Sequence, residues 1–119
     1  DFSEVEAEYD ERVGEWLASG KVRKHKMTSD EFFARPAQGL YDFIYIDGDH
    51  TAPAVLTDAC MAWPLLKKGG IMVFDDYHWN PGNYNEYQTP KRGVDAFSHA
   101  FGDQFKVVHD GYQIAVQKL

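Results

Sequence analysis

Tyr41-Asp-Phe-Ile-Tyr-Ile-Asp-Gly-Asp-His50 and Ile71-Met-Val-Phe-Asp-Asp76 decide the fold of this chain. Each segment opens as a nearly continuous apolar and aromatic run and stops abruptly in carboxylates. Such a run suits a central parallel strand, because a strand covered on both faces has no solvent side on which to alternate polar residues. Between the two lies a helix expected from about Ala52 to Leu66, with Pro53 tolerated in its first turn. Pro64 is placed to kink or shorten the last turn, and Lys67-Lys-Gly-Gly70 supplies cations and glycines to close it.

Upstream, Ser3 to about Ser19 reads as an amphipathic helix. Val5, Tyr9, Val13, Trp16 and Leu17 recur at helical spacing, Ser3 is a candidate cap, and Gly20 is a stop. Lys21–Met27 is a weaker strand, and Thr28-Ser-Asp-Glu31 offers cap chemistry for a short helix over Glu31–Ala34, ended by Pro36. Downstream, Tyr77–Lys91 is irregular and rich in Asn, Pro, Gly and aromatics, the composition of a functional lid or a disordered segment. Gly93–Phe101 is a short helix with Val94, Phe97 and Phe101 on one face. Phe105–His109 and Tyr112–Val116 flank Asp110-Gly111, a short hairpin signal. Strands alternating with helices predict an α/β fold with a mostly parallel sheet, and the hairpin adds an antiparallel edge.

The 119 residues suffice for one domain, taken here as 1–119. A net charge of -7 argues against an electrostatic nucleic-acid binder, and the basic run Lys21–Lys26 is too short to reverse that. Cys60 stands alone, so no internal disulfide forms, and a cytoplasmic setting is the default. No apolar stretch reaches the roughly 18–20 residues that span a bilayer, so no membrane partner is expected. The chain opens at Asp1 without a Met, as a processed or truncated piece would.

Ligands of open α/β sheets bind outside the carboxyl ends of the strands. Asp47, Asp49 and His50 follow the first of the two decisive strands, and Asp75 and Asp76 end the second. Carboxylates at that density repel and raise one another's pKa unless a cation neutralises them. A hard divalent cation, Mg²⁺, Ca²⁺ or Mn²⁺, is the natural partner. The competing reading is that a strand-terminal Asp caps the next helix, as Asp49 would for the helix at Ala52.

Taken with Trp63-Pro-Leu-Leu-Lys-Lys-Gly-Gly70, Pro90-Lys-Arg-Gly-Val-Asp-Ala-Phe97 and Val107-Val-His-Asp-Gly-Tyr-Gln-Ile-Ala-Val116, these segments resemble class I S-adenosylmethionine (SAM) methyltransferases. The likeness is nearest to the metal-dependent small-molecule O-methyltransferase branch that includes macrocin-type enzymes, and it covers their C-terminal part. It implies a Rossmann-like three-layer sandwich whose N-terminal strands lie upstream of Asp1. It further implies SAM as cofactor, with Asp47, Asp75 and Asp76 holding Mg²⁺. His50, with Asp47 beside it, would be catalytic and remove the proton from a sugar or aromatic hydroxyl; imidazole suits that task because it titrates near neutrality. Thr28 and Ser29 would touch the adenine, although Ser and Asp after a strand are more often caps. Tyr77, His78, Trp79 and Tyr84 fall where the family has its acceptor loop. The family's glycine-rich turn and ribose-binding acid are not among these residues.

Two other readings compete. Asp47-Gly-Asp49-His-Thr51 fits the Asp-x-Asp-x-Thr signature of haloacid-dehalogenase-like phosphatases, with Asp47 as nucleophile and Asp49 as general acid. Against it, the signature sits late in the chain and too close to Asp75 for the intervening strand. Alternatively the chain is a non-catalytic methyltransferase remnant serving as an interaction module. The strand at Tyr41–Ile46 would then expose an edge, and a homo-oligomer is expected.

Overall fold

The two acidic strands form side by side. In the computed structural model, which describes residues 2–34 and 39–119, Tyr41–Ile46 (β1) pairs in parallel with Leu66–Phe74 (β2). Between them run Ala52–Ala62 (α3) and one 3₁₀ turn, Trp63–Leu65. The helix stops earlier than its apolar pattern suggests because Pro64 has no N–H for the α-helical ladder. β2 accordingly starts at Leu66 rather than Ile71. Leu66 pairs with Tyr41 and Ile71 with Phe43, so Lys67–Gly70 bulge opposite Asp42. Gly69 absorbs the bulge at φ +82, and a Cβ on Gly70 would sit 2.8 Å from the Lys67 carbonyl oxygen.

Ahead of β1 lie Phe2–Ser19 (α1) and Ser29–Phe33 (α2); beyond β2 come Pro90–Phe101 (α4), Phe105–Asp110 (β3) and Ile114–Lys118 (β4). The sheet order is β1-β2-β4-β3, with β4 antiparallel to both of its neighbours. A bulge between Val107 and His109 moves the β3–β4 pairing by one residue. The ladder therefore closes at Asp110–Ile114 and leaves Gly111–Gln113 as the turn, one residue longer than Asp110-Gly111 implies. Met72 and Phe74 of β2 are fully buried in one cluster with Val55 and Ala59 of α3, Val94 and Phe97 of α4, and Val116 of β4. The period of two puts Met72 and Phe74 on one face of the sheet, and the helical spacing of Val94 and Phe97 supplies the matching stripe. On β1, Tyr41, Phe43 and Tyr45 are exposed while Ile46 is buried.

Contacts divide the chain into two compact units, Asp1–Phe32 and Phe33–Leu119. Within the first, α1 starts and stops near the expected residues, with Gly20 at φ +77 after its end. Lys21–Met27 does not form the expected strand. Lys24 instead bonds Glu6 and Asp10 of α1, each at 2.8 Å, and Lys26 pairs with Glu6 at 2.7 Å. The basic run thus answers the acidic face of the helix. Pro36, the expected end of the short helix, lies outside the described residues. Among those residues no helix is long and apolar enough to cross a membrane.

Two consequences are measurable. A Cβ at position 93 would lie 2.5 Å from the Ala52 carbonyl oxygen and 2.9 Å from Val55 Cβ. Gly93→Ala should therefore force α4 off α3 and cost about 1–3 kcal/mol in urea unfolding; an unchanged midpoint would contradict this packing. Hydrogen bonds from Lys24 and then Lys26 hold the Glu6 carboxyl at about 2, against its ordinary 4.5. A depressed carboxylate stabilises above its unfolded pKa, so the tether should persist above pH 4.5 and weaken as the pH falls toward 2. Carboxyl NMR should find Glu6 titrating at that low value, and Lys24→Met should move it up.

Candidate functional site

The parallel ladder sets two acid-bearing strand ends at one edge. The Asp75 N–H donates to the Ile46 carbonyl at 3.1 Å, extending the pairing one residue past β2. After Ile46 the chain turns through Asp47–Thr51 into α3. The Asp49 carboxylate accepts the Thr51 N–H at 2.8 Å, while the Thr51 side chain makes no cap bond. That backbone hydrogen bond also holds the Asp49 carboxyl below its usual range. Asp49 is exposed, and its carboxylate shapes the turn that presents His50.

His50 Nε2 lies 2.6 Å from Asp76 Oδ2. One side-chain donor atom from each of Asp47, His50 and Asp76 falls within 4.8 Å of the others. Desolvation raises the Asp47 carboxyl, with further upward pressure from the charges of Asp75 and Asp76. Asp76 reaches this group through a left-handed backbone at φ +59, a conformation that a non-glycine residue adopts at a cost.

Asp75 is turned elsewhere. Its Oδ1 accepts the Asp76 N–H at 2.8 Å and Gln113 Nε2 at 3.3 Å, and its Oδ2 accepts the Tyr45 hydroxyl. The Tyr45 bond, its largest influence, holds the Asp75 carboxyl low. The same bond pushes the Tyr45 phenol up to about 12. Gln113 also donates to the Tyr45 oxygen at 3.1 Å, and the Tyr112 hydroxyl donates to Asp76 Oδ1 at 2.7 Å.

Aromatic residues of the Tyr77–Lys91 segment close over one side. Trp79 stacks on the His50 ring at 4.5 Å between centroids, and Tyr84 stacks on Trp79 at 5.6 Å. Asn80 clips that loop by accepting the Tyr84 N–H at 2.7 Å and donating to its carbonyl at 3.1 Å. Tyr77 is an anchor: its N–H bonds the Tyr112 carbonyl at 2.9 Å, and its hydroxyl bonds Asp95 of α4. A shallow pocket beside the acids is lined by Asp47, His50, Asp75, Val55, Phe74 and Pro90, among others.

Of the residues singled out in the sequence, the structure gathers Asp47, His50 and Asp76 into one cluster, with Asp75 adjoining but bonded to Tyr45 and Gln113. Thr28 and Ser29 lie in the first compact unit, both exposed; Thr28 Oγ1 accepts the Glu31 N–H at 3.2 Å and so caps α2. Tyr45, Tyr112 and Gln113 have no counterpart in the sequence reading. One signal for the last two exists: a strand antiparallel to β2 must begin where β2 ends, so the turn before β4 meets the acids.

A family described as a methyltransferase domain matches residues 2–77, which include α3, both decisive strands and Asp47, His50, Asp75 and Asp76. An uncharacterized protein of Acanthamoeba polyphaga mimivirus is 42% identical over 43 residues, covering 34% of this chain and 20% of that protein. The crystal structure of a Corynebacterium glutamicum protein superposes with a TM-score of 0.62 at 16% identity, over 94% of this chain. The chain spans about half of that structure, 56%, and a fifth of the viral protein. At such low identity the superposition speaks for the α/β fold.

The Tyr45–Asp75 bond gives a direct check. A raised phenol contributes stability below its ordinary 10.0 that fades as the pH climbs toward 12. In NMR titrations of ring-labelled tyrosine, Asp75→Asn should bring Tyr45 back down toward 10.0. An unmoved Tyr45 would mean that Asp75 is not its partner.

Proposed function

The chain belongs to a methyltransferase domain family, and from that premise we propose that it forms the acceptor-activating side of a SAM-dependent O-methyltransferase acting on a small-molecule hydroxyl, sugar or aromatic. The observation that carries this reading is the His50 Nε2 to Asp76 Oδ2 contact of 2.6 Å at the carboxyl ends of two parallel strands. A carboxylate at Nε2 fixes the ring as the Nε2–H tautomer and leaves Nδ1 with the free lone pair. His50 then takes the hydroxyl proton at Nδ1, and the Asp76 carboxylate stabilises the imidazolium that results. Asp47, held within 4.8 Å of both, adds negative charge on the same side. Trp79 covers one face of the ring, which orients it and limits water.

The carboxylates of Asp47 and Asp76 fit a hard divalent cation, Mg²⁺ or Mn²⁺, which would also offset the charges of Asp75 and Asp76 that add to desolvation in raising the Asp47 carboxyl. Asp47 and Asp76 would hold such an ion, with Asp75 in support through the backbone it braces. When bound, SAM supplies a methyl group already activated as a sulfonium, and the divalent ion supplies polarisation of the acceptor oxygen. Thr28 and Ser29 stay proposed as adenine contacts on the resemblance alone.

In the native protein, His50→Ala should lower methyl transfer from radiolabelled SAM roughly 10²–10⁴-fold while leaving SAM affinity near its original value. Chelation of divalent ions should lower turnover too, and Mg²⁺ or Mn²⁺ should restore it. Full turnover by His50→Ala would remove the base from this reading, and full turnover in chelator would remove the ion.

A further inference from the structure

An aspartate carboxylate swings readily about its last torsion, whose preference is broad. One bond to His50 therefore does not fix which Asp76 oxygen faces the ring. The second oxygen is held: Tyr112 donates to Oδ1 at 2.7 Å while Oδ2 meets His50. A single hydrogen bond from a half-exposed tyrosine orients little by itself, but Tyr112 is not free to wander. Its carbonyl accepts the Tyr77 N–H at 2.9 Å, and Tyr77 is in turn bonded to Asp95 of α4. Its neighbour Gln113 bonds Asp75 and Tyr45, and the Gly111 N–H closes the turn onto the Gln113 carbonyl at 3.1 Å. The turn before β4 is thus tied both to β1, through Tyr45, and to the Asp75–Tyr77 stretch after β2, and it holds the two adjacent acids apart. Gln113 and Tyr45 take Asp75, while Tyr112 takes Asp76.

We propose that Tyr112 is a positioning residue, which holds the Asp76 carboxylate in register with His50 and Asp47. This role rests on the methyl-transfer reading for its purpose, but its geometry can be tested apart from it. Without the Tyr112 hydroxyl the carboxylate loses one of its two anchors. The Nε2–H tautomer of His50 is then no longer enforced, and the donor atoms lose their preset spacing.

The test compares the native protein with Tyr112→Phe and Gln113→Ala at one pH, by long-range ¹H–¹⁵N NMR of the His50 ring and by Mn²⁺ titration. Tyr112→Phe should introduce a measurable Nδ1–H population and weaken Mn²⁺ binding roughly 10–100-fold, the usual effect of losing a group that orients a ligand. Gln113→Ala, from the same turn but bonded to Asp75, should leave the His50 tautomer as it was. Unchanged amide resonances of Met72 and Val116 confirm that each variant is folded. If Tyr112→Phe keeps the native tautomer, the positioning role is overturned. If both variants shift it equally, the turn acts as a whole and the specific role of Tyr112 is likewise overturned. A native protein that takes up no Mn²⁺, with a tautomer that still shifts in Tyr112→Phe, removes the ion from the functional reading and leaves the positioning role standing.

Discussion

The parallel register of β1 and β2 is the constraint on which the rest depends. Parallel strands finish at the same edge of a sheet, so whatever follows Ile46 and Phe74 must share one small volume. Here both are followed by carboxylates. Antiparallel pairing would send the same residues to opposite ends, and no cluster would form. The apolar side chains that hold the register, Met72 and Phe74 packed against α3 and α4, therefore also set the chemistry some residues away.

Once the acids are together, the surrounding polar groups decide what each does. Asp75 is satisfied by Tyr45, Gln113 and a backbone N–H, and its carboxyl stays low. Asp47 has less support and moves the other way. Neighbouring carboxylates driven apart by their environments form a recurring arrangement in sites that handle protons or ions. Asp76 adopts its left-handed backbone, φ +59, within this same cluster.

Much of this was legible in the residues. The apolar run Tyr41–Ile46 and the acids after it predict strand, edge and cluster together, and helical spacing places Val94 and Phe97 in the core. Three features were not legible, each for a physical reason. Pro64 and the glycines at 69 and 70 read as the close of a helix, whereas in the fold they permit an early strand with a bulge. The β3 bulge has no sequence mark, so the hairpin turn reads one residue short. Lys21–Met27 has strand-like residues, but its lysines find carboxylates on α1 instead. Within the site, Asp75 and Asp76 look equivalent in sequence and differ only through a backbone angle and partners far along the chain. Tyr112 and Gln113 are of the same kind, since only the tertiary path of β4 delivers them.

The position of β1 at the border of the sheet carries a further consequence. Within the described sheet β1 has one ladder partner, whereas β2 lies between two. Local opening draws on the least supported segments first. Within the described sheet, the half of the cluster that follows β1, Asp47 and His50, therefore hangs on fewer ladder bonds than the half that follows β2. Amide hydrogen exchange along the two strands would display that difference as a gradient, fast in Tyr41–Ile46 and slow in Ile71–Phe74. An assembly of this form can loosen the side that carries Asp47 and His50 while Asp76 stays seated, which gives the cluster a built-in order of disassembly.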